Sequence, residues 1–175
     1  MTHNGRLSLL FACNLVLYLV VSEVNGVIGP WTVHLHLDVL YLVFFGLFLR
    51  HLGGLLFAAL MGLFADAAHA APAGVFLAGY IGLWLFFTLC QRRVRRQNPA
   101  HVRAVAVAGQ LLWMGALALV MAMAQPSAPG AWMRLPADLG FSCLVVGFLA
   151  WPWCRFQNKL LHTLGWDLEA ELAPR

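Results

Sequence analysis

Between residues 7 and 156 the chain alternates long apolar runs with short polar breaks, and its cations gather at every second break. The runs cover 7–28, 31–49, 52–70, 73–90, 103–124 and 136–156. Each comes close to the roughly 20 residues an α-helix needs to cross a bilayer. Lipid offers no partner to a bare N–H or C=O, so such runs fold as helices. The expected fold is all-α: a polytopic bundle of six transmembrane helices over residues 1–160, with a short cytoplasmic tail over 161–175. Composition agrees. Only 10% of residues are charged and 62% are hydrophobic, where a soluble domain carries about 25% charged residues.

The breaks have chemical reasons. In "NGVIGPW" (25–31) Gly29 suits a turn, Pro30 suits the first position of a new helix, and Trp31 suits the membrane interface. "RHLGG" (50–54) and "AHAAPAG" (68–74) read as tight turns, and "QPSAPG" (125–130) as a polar loop. Arg6 precedes an apolar run that reaches Val21 with no small-residue cleavage site after it. That run is therefore read as the first span, not a signal peptide. Cys13, Cys90, Cys143 and Cys154 lie in or beside apolar runs without a C-x-x-C pair. They read as small buried hydrophobes, with no disulfide framework or zinc site.

Charge sets the orientation. With a cytoplasmic N-terminus, one side holds Arg6, Arg50, Arg92, Arg93, Arg95, Arg96, Arg103, Arg155, Lys159 and Arg175, and the other Arg134 alone. This bias requires an even number of spans and puts both termini in the cytoplasm. The dense run "RRVRRQNPAHVR" (92–103) lacks interleaved aromatics. It reads as a topology signal touching anionic lipid headgroups, not as a nucleic-acid patch.

The acids segregate oppositely. Glu23, Asp38, Asp66 and Asp138 fall in the outer half, where His34, His36 and His69 join them. At 1.5 Å per helical residue, Asp38 lies roughly 18 Å and Asp66 roughly 22 Å from the cytoplasmic edge. Both are then inside a hydrocarbon core about 30 Å thick. Glu23 and Asp138 fall nearer the outer interface. An aspartate within a span costs about 2.5–3.5 kcal/mol and faces protein. Three readings stay open: a structural polar pair locking helices, a polar pocket for a solute or partner, and a metal or proton-transfer site. His34, His36 and Asp38 have ligand residue types, but positions two apart lie on different helix faces. No metal or cofactor is therefore assigned.

Small residues recur every four positions at Gly54, Ala58 and Gly62, ending at Asp66, and again at Gly74, Ala78 and Gly82. Such spacing lets helix backbones approach closely, so both sets are expected to pack against neighbouring helices. The chain has no H-E-x-x-H, G-x-S-x-G, P-loop or G-x-G-x-x-G motif, and no enzyme activity is expected.

The segment "HLDVLYLVFFGLFLRHLGGLLFAALMGLFADAAHAAPAGVFLAGYIGLWL" (36–85) carries an aspartate opening a leucine-rich span (Asp38) and a basic tight turn (Arg50). Gly62-Leu63-Phe64-Ala65-Asp66 and Pro72-Ala73-Gly74 follow. This succession resembles the rod shape-determining protein MreD family, with its G-L-x-x-D element followed by a small or proline residue and glycine. The match covers about 50 residues; His34, His36 and His69 are not part of the pattern. The resemblance implies a non-catalytic multi-pass subunit of the bacterial inner membrane within the cell-elongation complex. It would bind MreC and support peptidoglycan synthesis beside a SEDS glycosyltransferase, a penicillin-binding transpeptidase and, indirectly, MreB filaments. The family is similar in topology to the six-helix solute-binding components of energy-coupling-factor transporters, which supply the alternative.

Overall fold

A computed structural model describes residues 3–28, 34–49, 52–69, 72–94, 98–124, 129–163 and 165. These form six helices: α1 (His3–Ile28), α2 (Asp38–Phe48), α3 (Leu52–Ala68), α4 (Val75–Cys90), α5 (Pro99–Ala124) and α6 (Pro129–Thr163). No strand occurs among the described residues. The turns at residues 29–33, 50–51 and 70–71, the loop at 125–128 and the tail from 166 lie outside the described set.

Among the described residues, three helical stretches are long and apolar enough to cross a membrane: Ser8–Ile28, Pro99–Met123 and Arg134–Thr163. The other three helices are shorter. α2, α3 and α4 have 11, 17 and 16 residues, or roughly 16, 25 and 24 Å of helix. The second run differs most from expectation. Residues 34–37 are not helical, and the helix begins only at Asp38. The fifth helix starts earlier than expected, at Pro99, where proline's fixed φ suits a first turn. The sixth starts at Pro129 and runs through Pro136 and Pro152, although each ring removes one backbone hydrogen bond.

α2 is the centre. Every residue from Asp38 to Leu47 is buried, as befits a helix apolar on all sides. Asp38 Oδ1 accepts the Tyr80 hydroxyl at one end, and Gln91 Nε2 donates to the carbonyl of Leu47 at the other. α2 and α4 therefore run parallel, pinned at both ends. α5 and α6 pack side by side with Val102, Ala106, Val146, Ala150, Cys154 and Leu161 in the shared core. α1 contributes Leu10, Phe11, Asn14 and Tyr18 inward and leaves Val16, Leu19, Val20 and Val27 exposed.

At Gly62 the backbones of α3 and α4 come close together. A Cβ there would stand 2.7 Å from Leu77 Cα and 3.1 Å from Leu77 N and the Phe76 carbonyl. Those atoms are backbone and cannot swing aside. Gly62→Ala gains up to about 1 kcal/mol of helix propensity, but overpacking costs about 1–3 kcal/mol. The variant is expected to unfold at lower temperature in detergent micelles, whereas Gly82→Ala, with open space around its Cβ position, is expected to unfold no earlier than the wild type.

Gln157 on α6 is fully buried beside Cys154 and Leu161, and neither end of its amide has a hydrogen-bond partner. A buried orphan costs about 1–3 kcal/mol. Gln157→Met keeps most of the volume and removes both polar atoms. It is expected to raise the apparent Tm; a clear fall would show that the amide is bonded.

Candidate functional site

Asp66 sits near the end of α3 and is aimed at the start of α4. Its Oδ1 accepts the N–H of Phe76 at 2.9 Å and its Oδ2 that of Leu77 at 3.1 Å. These are two of the four amides that an α-helix leaves without partners in its first turn. The cap position itself is Gly74, at φ 90°, with no side chain to serve them. Asp66 thus caps α4 from across the hairpin. Its negative charge also complements the positive end of the α4 dipole. Gly74 is required for the left-handed turn, and Gly62 for the close approach that brings the carboxylate within reach. His69 follows, its Nδ1 3.0 Å from the carbonyl of Ala65 and its ring stacked on Phe76 at 4.7 Å.

Asp38 opens α2 and is buried. The Tyr80 hydroxyl donates to Oδ1 at 2.5 Å, and the Trp113 indole N–H donates to Oδ2 at 3.0 Å. Phe76, Tyr80 and Trp113 surround the contact as mutually edge-on rings. The carboxylate therefore joins α2, α4 and α5. His36 Nδ1 stands 4.0 Å from Oδ2, and the His36 side chain keeps 34% of its surface open.

Between α1 and α2, residues 34–36 have no regular secondary structure, and their backbone is held by side chains. Asn25 of α1 takes both polar groups of Leu35, accepting its N–H and donating to its carbonyl, each at 2.8 Å. Asp138 of α6 accepts the N–H of His34 at 2.8 Å. Ser142 of α6 accepts the N–H of His36 at 3.0 Å, and Gln110 of α5 donates to the His36 carbonyl at 2.8 Å. Backbone outside a helix or sheet has no ladder of its own, and these side chains supply the partners it lacks. The Oε1 of Gln110 is buried and unpaired.

The residues singled out from sequence thus separate. Asp38 and Asp66 do not pair with each other; each serves a different junction. Of the outer polar cluster, His34, His36 and Asp138 meet at the clamped segment. Glu23 is exposed on α1, and His69 lies with Asp66 at the α3–α4 turn. His34, His36 and Asp38 do not converge, and no group of three metal-ligating side chains exists among the described residues. Gly54, Ala58 and Gly62 are buried. Ala78 and Gly82 are exposed, because α4 turns Phe76, Tyr80, Leu83 and Phe87 inward instead. On that side Gly79 makes the close approach, against the Trp113 ring.

Sequence reasoning missed Asn25, Tyr80, Gln110, Trp113 and Ser142. Asn25, Gln110 and Ser142 are polar residues within or beside apolar runs, and that was their available signal. No known family model, curated protein or solved structure matches this chain.

Proposed function

We propose that this chain is a non-catalytic, multi-pass subunit of the bacterial inner membrane. In this reading six helices lie within the bilayer, both termini face the cytoplasm, and the chain serves the cell-elongation complex by binding MreC. One observation carries the reading. The residues behind the resemblance to the MreD family are spent on holding the helices together. Asp38 ties α2 to Tyr80 and Trp113, and Asp66 caps α4 across a turn made by Gly74. Carboxylates that each accept two neutral donors from neighbouring helices suit a scaffold better than a reaction centre. The three long apolar helices support insertion in the membrane. The shorter α2, α3 and α4 complete the bundle, with exposed leucines at 56, 60 and 63 of α3 facing acyl chains. Co-expression with MreC in a rod-shaped bacterium tests the proposal. The expected outcome is stable co-purification in mild detergent, and rounded cells on depletion. Normal cell shape on depletion, with no recovered complex, would reject it.

A second reading has its own observation. The half-open His36 ring beside Asp38, and the unpaired Gln110 Oε1, leave unused polar capacity at the outer end. A solute-binding transporter component would use it. A thermal-shift screen with water-soluble vitamins checks this; reproducible stabilisation by one compound favours the transporter.

A further inference from the structure

The described charges divide between the two ends of the bundle. At one end stand Asp38, Asp66 and Asp138 with the clamped segment, and Glu23 two residues from the Asn25 that grips it. At the other end stand Arg92 and Arg93 after α4, Arg103 on α5, and Arg155 and Lys159 on α6, all exposed. The helix register places all five toward the same end. A Cβ on Gly147 of α6 would lie 3.3 Å from Val107 of α5, so those positions share a level. From it, Arg103 is about 6 Å, Arg155 about 12 Å and Lys159 about 18 Å toward the same end. Gly79 of α4 meets Trp113 of α5, so α4 descends alongside and delivers Arg92 and Arg93 to that end. No acidic residue lies there among the described residues.

We infer that this cationic end is a binding surface for anionic phospholipid headgroups. The inference rests on the membrane reading proposed above. Depth selects lipid over a soluble acidic partner. Arg103 and Arg155 lie about 6 and 12 Å along their helices from the Gly147–Val107 level, on the apolar spans themselves, from where long basic side chains snorkel to phosphates. Trp153 and Phe156 stack at 5.5 Å on either side of Arg155 along α6, and Phe156 is 49% exposed. An aromatic pair at that height belongs to the headgroup–acyl boundary. α6 has 35 residues, roughly 52 Å of helix. It outruns the hydrocarbon and carries its basic end through the headgroup layer.

The test uses the full chain in nanodiscs of phosphatidylcholine alone or with one part in four phosphatidylglycerol. Retained lipid is counted by native mass spectrometry, and unfolding is followed by temperature. Phosphatidylglycerol is expected to be enriched on the protein and to raise its Tm. Enrichment is expected to fall roughly five-fold for each cation removed in the series Arg103→Gln, Arg155→Gln, Lys159→Gln. Arg134→Gln, at the opposite end, is expected to leave it unchanged. Equal enrichment in the wild type and the triple variant overturns the inference and leaves the membrane reading intact. Failure of the chain to enter nanodiscs overturns both. Equal stabilisation by soluble glycerol phosphate, or by an acidic peptide, in phosphatidylcholine discs would also overturn the assignment to lipid.

Discussion

Asp66→Leu is expected to destabilise the α3–α4 hairpin by about 3–7 kcal/mol. Each hydrogen bond from a backbone amide to the carboxylate is worth about 1.5–3 kcal/mol, and the favourable charge at the α4 N-terminus adds about 0.3–1 kcal/mol. The substitution also leaves the amides of Phe76 and Leu77 without a partner. The cleanest readout is local. Amide hydrogen exchange at Phe76 and Leu77 is expected to accelerate by at least a hundred-fold, together with a lower Tm in detergent. Asp66→Asn offers one carbonyl oxygen in place of two carboxylate oxygens, so it is expected to recover about half of the loss. Unchanged exchange at both amides in Asp66→Leu would show that something else caps α4.

Asp38→Leu is the second large effect. It removes the acceptor of two buried donors, the Tyr80 hydroxyl and the Trp113 indole N–H. Each orphaned donor costs about 1–3 kcal/mol, so the expected loss is about 2–6 kcal/mol. A double-mutant cycle separates the tyrosine's share. Tyr80→Phe and Asp38→Leu are expected to combine for less than the sum of the single losses, with a coupling of about 1–3 kcal/mol. Asp38→Asn keeps an acceptor and is expected to lie between the wild type and Asp38→Leu. Additive losses would mean that the hydroxyl and the carboxylate act independently.

Hydrophobic runs and cation placement made six helices legible, because both signals are local and redundant. What stayed hidden needed tertiary register. The late start of α2 was masked because residues 34–37, His-Leu-His-Leu, join two apolar stretches of one run; side chains that take the backbone of 34–36, and not hydropathy, set where the helix begins. The stripe at Gly74, Ala78 and Gly82 is a valid close-packing pattern, but α4 buries its aromatic side, since Phe76, Tyr80 and Phe87 offer far more area. Asp66 was legible as a residue at a helix junction. Its task was not, because the cap position of α4 is Gly74, eight residues further along the chain, and sequence alone does not show which amides a carboxylate will reach. Asn25, Gln110 and Ser142 were visible only as polar outliers until one backbone segment united them.

That segment reverses the usual relation between a motif and its surroundings. Its neighbours grip amides and carbonyls, which every residue except proline supplies alike. Exchange of His34 for another side chain should therefore be absorbed, while loss of Asn25 releases two bonds at once. Evolution acting on this protein would then preserve the distant holders on α1, α5 and α6 while letting the held stretch drift in identity, and a comparison confined to residues 34–36 would overlook where the constraint resides.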